Sequence, residues 1–178
     1  AGNGASASIA NHASLDLTKQ AKIKSVNFNE SAFITALSND YGYENWVEKA
    51  VEFYGEKGDT LILISSSGQS INVINAAKYA RRNDINVITF TGFDSSNPLS
   101  TLGNINFWLN SRAYNIIEGI HQIWLLSICD LIIGKKEYSV SAADDTGMIK
   151  KVWFFFVSGF FLMMSYVIFN FMRYIIII

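Results

Sequence analysis

The chain has 178 residues, half of them hydrophobic, and a formal net charge of −1. This length is enough for one domain with a sizeable core, and the apolar content excludes an intrinsically disordered chain. The near-neutral charge gives no electrostatic reason to expect a nucleic-acid partner. Cys129 is the single cysteine, so no disulfide can form within the chain, which favours a cytoplasmic location.

Helical and extended patterns alternate along the chain up to about residue 133. The apolar spacing and the capping signals predict helices over about 7–19, 29–37, 45–54, 69–82 and 113–133. Short apolar or alternating runs predict strands over about 24–28, 60–64, 85–90 and 104–109, and polar residues predict a turn over 39–43. Strands that alternate with helices indicate an α/β fold, with three layers in which helices flank a parallel sheet.

Both ends of the chain depart from this pattern. A polar linker over 139–149 is predicted to join a domain over 1–138 to a hydrophobic tail over 150–178. Residues 152–172 include no charged side chain and could cross a bilayer as a helix. A C-terminal membrane anchor is one interpretation; an interface helix in an oligomer and a non-native extension are the alternatives. At the other end, residues 1–4 read as a loop without its preceding strand, which predicts an N-terminally truncated domain.

The most informative segment is a serine-rich loop between the predicted strand 60–64 and the predicted helix 69–82. Its hydroxyl side chains belong to Ser65, Ser66, Ser67 and Ser70. A loop that joins a buried strand to a helix N-terminus suits a phosphate, because unpaired N–H groups and the helix dipole favour an anion there. The loop has no Lys or Arg, so hydrogen bonds would hold the phosphate. The alternative is an ordinary turn with an N-cap serine.

Two pairs of ionisable residues are spaced for joint action. His12 and Asp16 lie four residues apart and Glu118 and His121 three apart, so each pair shares a face of its predicted helix. Imidazole nitrogens and carboxylate oxygens suit a divalent metal such as zinc, although not uniquely. The alternative is a set of unrelated polar residues on two half-exposed helices.

Four segments, in this order along the chain, resemble SIS (sugar isomerase) domains of the phosphoheptose isomerase type. They are Gly2-Asn3-Gly4-Ala5-Ser6 followed by His12, then Asn39-Asp40-Tyr41-Gly42-Tyr43, then Ser65-Ser66-Ser67-Gly68-Gln69-Ser70, and then Val87-Ile88-Thr89-Phe90-Thr91-Gly92. The resemblance covers roughly residues 1–138 and implies a flavodoxin-like topology without a nucleotide cofactor. It also implies a homo-oligomer, a dimer or a tetramer, with active sites at subunit contacts.

The resemblance assigns roles to individual positions. Phosphate-binding positions of the family match the four serines of the loop, and its sugar-contacting positions match Asn3, Ser6 and Asp40. His12 falls on a metal-binding histidine, and Asp16 falls on a glutamate that both binds metal and acts as the base. Glu118 falls where the family often has a glutamine ligand. A zinc site at these three residues is therefore implied.

Two departures from the family pattern affect this site. The family has a histidine, a metal ligand and proton carrier, where this chain has Leu126, and many relatives have an aspartate where it has Ile9. His121 is close to Leu126 in sequence, but five residues turn its direction on the helix by about 140°. His121 is thus a candidate acid in an altered site.

The reaction implied by the resemblance is aldose–ketose isomerisation of a sugar phosphate, with sedoheptulose 7-phosphate as the expected substrate. A base removes the proton beside the carbonyl, an enediol forms, and an acid returns the proton to the neighbouring carbon. Asp16 or Glu118 is the candidate base. A non-catalytic phosphosugar-binding module is the alternative function, favoured by the loss of the histidine at Leu126.

Overall fold

The structure is a computed structural model, and it describes residues 1–135 and 175–176 of the chain. Its helices are α1 (Ala5–Lys19), α2 (Ser31–Tyr41), α3 (Trp46–Tyr54), α4 (Ile71–Arg82) and α5 (Tyr114–Ile133). Its strands are β1 (Thr60–Ser65), β2 (Asn86–Thr91), β3 (Ile105–Trp108) and β4 (Ile175–Ile176).

The described strands form one parallel sheet in the order β3-β2-β1-β4. Strand β1 pairs with β2 from Thr60 opposite Asn86 to Ser65 opposite Thr91, and β3 continues the sheet beyond β2. Every residue of β1 is buried, as expected for a parallel strand with helices on both faces. The predicted α/β fold with a parallel sheet is confirmed.

Two apolar clusters fill the space on the two faces of the sheet, because successive strand residues point to opposite sides. On one face, Leu61 and Leu63 pack in a cluster with residues of α3 and α4. On the other face, Ile62 and Ile64 pack in a cluster with residues of α1 and α5. The sheet therefore forms the middle of three layers.

Two predicted elements are wrong, each for a local reason. Residues 24–28 do not form a strand, because the Thr18 hydroxyl accepts from the Ser25 N–H and donates to the Ser25 carbonyl, the groups that a neighbouring strand would need. The predicted turn over 39–43 begins too early: α2 runs to Tyr41 and ends at Gly42, which has φ +85°. Glu30, not Asn29, caps this helix.

The linker over 139–149 and the candidate transmembrane segment 152–172 lie outside the described residues. From the tail, Ile175 and Ile176 pair with the start of β1. Among the described helices, α5 has the length and the apolar composition of a helix that could cross a membrane. Its residues Ile117, His121, Leu125 and Cys129 form a buried stripe.

Candidate active site

Two helices begin beside each other at the carboxyl end of β1. A side chain at Gly2 would lie 2.7 Å from the Ile64 carbonyl oxygen, so the loop before α1 packs directly on the strand. Helix α4 starts after the serine loop, with Ser70 as its N-cap. The N-termini of α1 and α4 thus both face this edge of the sheet, where ligands of open α/β sheets bind and where an anion is favoured.

The serine loop is folded by its own hydrogen bonds. The Gly68 N–H donates to the Ser65 carbonyl at 3.0 Å, and the Ser65 hydroxyl donates to that of Ser70 at 3.2 Å. The Ser67 hydroxyl accepts from the Gln69 N–H. The hydroxyl of Ser66 is buried and has no hydrogen-bond partner. A buried hydroxyl without a partner is costly, and a phosphate oxygen would satisfy it.

A second loop closes against the serine loop at Gly68, which has φ +66° and leaves no room for a side chain beside the Asn97 amide. Asn97 is buried and ties its own loop together by donating to the Asp94 carbonyl and accepting from the Ser100 N–H. The Leu99 N–H donates to the Gly68 carbonyl. The sequence gives no signal for Asn97 beyond its place in a polar loop.

The loop before α1 is joined to α4 by two side-chain amides. Asn3 and Asn72 exchange hydrogen bonds of 3.1 and 2.9 Å, and the Tyr43 hydroxyl donates to the Asn3 oxygen at 3.2 Å. Ser6, another predicted sugar contact, is buried one turn further along. Asn72 was missed by sequence reasoning because a single Asn in a first helical turn forms no pattern.

Asp40 does not lie in the predicted turn. It belongs to the last turn of α2 and is exposed, and its carboxylate accepts from the side chain of Asn39 at 2.9 Å. Its sugar-contacting role stays a prediction. Tyr43, three residues on, is the part of this segment that reaches the loop before α1.

His12 and Asp16 form the predicted pair on one face of α1. The His12 Nε2 atom lies 3.4 Å from Asp16 Oδ2, with 45% of the histidine side chain exposed but only 6% of the aspartate side chain. A largely buried carboxylate beside a half-exposed imidazole is an arrangement that can hold and pass a proton. It also provides two adjacent donors for a metal.

Glu118 and His121 differ in their surroundings on α5. His121 is fully buried, and its Nε2 lies 3.1 Å from the Thr91 carbonyl oxygen. Because a carbonyl only accepts, that nitrogen carries the proton of the neutral ring. Burial lowers the pKa of His121 to about 4, so the ring is neutral near pH 7. Glu118 is half-buried. The prediction that His121 donates a proton gains no support from this position.

The structure of residues 1–135 does not bring together a full set of ligands for the predicted zinc site. Across this part of the chain, no three His, Cys, Asp or Glu side chains come together as a metal-binding group. His12 and Asp16 are adjacent, but the described residues add no third donor to them. Zinc therefore stays a prediction, and no chemical step below is routed through a metal.

Comparisons with known proteins identify the family of this chain. A family model of the SIS domain matches residues 1–92, which include the loop before α1 and the serine loop. The phosphoheptose isomerase of Aliarcobacter butzleri is 36% identical over 137 residues, covering 74% of this chain and 72% of that protein. The chain belongs to the phosphoheptose isomerase family of SIS-domain proteins. It is therefore a member of an enzyme family.

Further relatives share the same region. The phosphoheptose isomerase of Colwellia psychrerythraea is 33% identical over 139 residues, covering 74% of this chain and 71% of that protein. The solved structure of phosphoheptose isomerase from Neisseria gonorrhoeae superposes with a TM-score of 0.69 at 32% identity, covering 74% of each chain. The predicted resemblance and the fold class are confirmed.

Proposed function

We propose that the chain is a phosphosugar isomerase that converts sedoheptulose 7-phosphate into glycero-manno-heptose 7-phosphate. The observation that carries the proposal is the serine loop at the carboxyl end of β1, with its buried, unpartnered Ser66 hydroxyl. The names of the relatives support the reaction type and the substrate class. Such a product would feed lipopolysaccharide and other surface-polysaccharide synthesis, a branch of carbohydrate-derivative metabolism, and would place the domain in the cytoplasm.

Phosphate binding follows from the local geometry. The N-terminus of α4 contributes partial positive charge, and the loop offers hydroxyl donors from Ser65, Ser66, Ser67 and Ser70. No Lys or Arg lies within the loop, so the phosphate would be bound by directed hydrogen bonds. The Asn3 and Asn72 pair would fix the loop that lines the sugar, with Asn3 and Ser6 as its contacts.

Isomerisation requires a proton to move between adjacent carbons. A base would take a proton from C1 of the ketose, and the electrons of the C–H bond would form the C1=C2 bond of the enediol while O2 gains a proton. Return of a proton to C2, with loss of the proton from the O1 hydroxyl, would leave the carbonyl at C1. Asp16 is the candidate base because its carboxylate is largely buried and contacts His12, and Glu118 is the second candidate. Zinc at His12, Asp16 and Glu118 remains part of the proposal only as the family resemblance implies it, because the described residues bring together His12 and Asp16 alone.

A homo-oligomer, a dimer or a tetramer, is also part of the proposal. Large apolar side chains are exposed on two helices that pack together, Leu15 on α1 and Ile116 and Ile123 on α5, each with 58% of its surface accessible. Exposed apolar side chains of this size on neighbouring helices support a contact with a second copy of the chain. Membrane attachment through residues 152–172 is a separate proposal.

The proposal is tested by an NMR time course of the full chain with sedoheptulose 7-phosphate and zinc. New aldose signals are expected, and Asp16→Asn should reduce turnover by about a hundredfold or more, the usual contribution of general-base catalysis. The matched control is Asp84→Asn, the same chemical change at an exposed residue. Asp84 lies just before β2, at the amino ends of the strands and so away from the candidate site. Its turnover should equal that of the unmodified protein. Equal turnover in both variants would contradict the role of Asp16.

A non-catalytic phosphosugar-binding module is the second candidate. It is favoured by Leu126, a half-buried residue of α5 that can neither bind metal nor carry a proton. Under this alternative, sedoheptulose 7-phosphate would bind without turnover, and Ser66→Ala would weaken binding. If the chain is instead an isomerase that lacks only this histidine, Leu126→His should create or greatly raise activity. Binding without any gain from Leu126→His would favour the binding module.

A further inference from the structure

A single peptide group connects α5 to the serine loop. The Thr91 carbonyl accepts from His121 Nε2 at 3.1 Å, and the N–H of the next residue, Gly92, donates to the Ser66 carbonyl at 2.9 Å. This carbonyl and this N–H belong to the same planar peptide unit. The Leu109 N–H also donates to the Thr91 carbonyl, at 2.9 Å. The orientation of the peptide is therefore fixed by His121 and Leu109 on one side and by Ser66 on the other.

The packing around this peptide leaves little freedom. A side chain at Gly92 would lie 2.7 Å from the Ile117 side chain and 3.1 Å from the Ser66 carbonyl oxygen. Ile117 lies one helical turn before His121 on α5. The rings of Phe90 and Trp124 lie against His121, with centroids 5.8 and 6.0 Å away. A shift of the imidazole would therefore be passed to the peptide and to the serine loop.

His121 lowers the stability of the fold at its position. It is fully buried, and its Nδ1 has no hydrogen-bond partner. An unpaired buried acceptor costs stability, whereas an apolar side chain of similar size would leave no such atom. The ring is also neutral, since burial lowers its pKa to about 4. Its useful group is the Nε2–H, the side-chain donor that the Thr91 carbonyl has in addition to the Leu109 N–H.

We propose that His121 is a positioning residue that holds Ser66 for phosphate binding through the peptide between Thr91 and Gly92. This inference rests on the proposed function, because Ser66 matters here as a phosphate ligand. It replaces the predicted role of His121 as an acid. The hydrogen bond to Thr91 is the property that matters, so another side chain that donates from the same place should serve.

The test compares His121→Leu with His121→Gln in the full chain. The Gln amide can donate to Thr91 from about the same reach as Nε2, whereas Leu cannot donate. Hydrogen–deuterium exchange of the peptide that contains Gly92 reports the bond to Ser66, and titration with inorganic phosphate reports the loop. His121→Leu should speed exchange at Gly92 and weaken phosphate binding by about tenfold, the effect of losing one buried hydrogen bond. His121→Gln should restore both.

Leu125→Ala is the matched control, since it removes a buried side chain from the same stripe of α5 without touching the hydrogen bond. It should lower stability but leave phosphate affinity unchanged. If His121→Leu fails to fold, His121→Asn replaces it, because its shorter side chain cannot reach Thr91 and should behave as Leu would.

The outcomes distinguish failure of the positioning role of His121 from failure of the proposed function. Failure of the unmodified protein to bind phosphate would overturn the proposed function and this inference with it. Normal phosphate binding, with exchange and affinity equal across the His121 variants, would overturn only the positioning role. Loss of turnover in His121→Gln with phosphate affinity retained would return His121 to proton transfer.

Discussion

Gly68→Ala should damage both stability and ligand binding, because two independent constraints meet at this position. Gly68 has φ +66°, and an added Cβ would overlap the side chain of Asn97. Asn97 is itself buried and held by hydrogen bonds to the Asp94 carbonyl and the Ser100 N–H. It cannot move aside without breaking them.

The expected loss of stability is the sum of a backbone cost and a packing cost. An L-residue in the left-handed region costs about 1–2 kcal/mol, reduced by the smaller entropy of the unfolded chain. Forcing an extra methyl group into a packed site costs about 1–3 kcal/mol more. We therefore expect Gly68→Ala to lower the free energy of unfolding by about 2–4 kcal/mol.

Gly58→Ala is the control that separates these terms. Gly58 has φ +92° but no atom within 4 Å of an added Cβ, so only the backbone cost applies. Denaturant unfolding of the two variants should differ by about 1–3 kcal/mol, which is the contribution of the contact with Asn97. Titration with inorganic phosphate should show weakened binding for Gly68→Ala alone.

Equal loss of stability in the two variants would refute this reasoning. It would mean that the Asn97 loop moves away freely and that the close approach to Gly68 does not fix the serine loop. Unchanged phosphate affinity in a folded Gly68→Ala protein would equally contradict the view that the conformation of this loop matters for binding.

Three further predictions follow from single contacts. Asn72→Leu should destabilise the protein by about 1–3 kcal/mol, because it leaves the Asn3 amide unpaired. Since Asn3 is a proposed sugar contact, the substitution should raise KM more than it lowers kcat. An unchanged KM would show that other contacts hold Asn3. Hydrogen bonds from the Ala32 and Phe33 N–H groups lower the pKa of Glu30 from its ordinary 4.5, so the Glu30 carboxylate stabilises the fold above that pH and loses this effect as the pH falls through the lowered pKa. The difference in unfolding free energy between Glu30→Ala and the unmodified protein should therefore shrink as the pH falls over that range. A difference that stays constant would exclude the charge of Glu30 as its cause. Burial raises the pKa of Cys129 to about 12, so a thiol reagent at pH 8 should label it only after denaturant is added; rapid labelling of the folded protein would contradict its burial.

Local sequence signals located most of the elements and the ligand loop. The apolar run of β1 and the amphipathic pattern of α3 and α4 arise from local periodicity, so their bounds were predicted to within about two residues. The serine loop was found because its hydroxyl groups are adjacent in sequence. The pair of His12 and Asp16 followed from the geometry of one helix.

Predictions failed where a residue outside the segment decides its structure or its chemistry. Residues 24–28 alternate like a strand, but Thr18 uses the backbone groups of Ser25. His121 was predicted from spacing to share a helix face with Glu118, and from the family resemblance as a candidate acid, yet its Nε2 is bonded to Thr91, thirty residues earlier in the chain. Spacing identifies which side chains share a helix face but does not show what that face packs against.

The sequence by itself therefore determined the three-layer α/β class, the helices that follow β1 and β3, and the residue types at the carboxyl end of β1. These depend on periodicity and on neighbours along the chain. Only the tertiary structure decided that Asn72 pairs with Asn3, that Asn97 restricts Gly68 and that His121 is buried and neutral. Each of these depends on contacts between segments far apart in sequence, and burial and hydrogen bonding across such contacts fix the chemistry of a side chain.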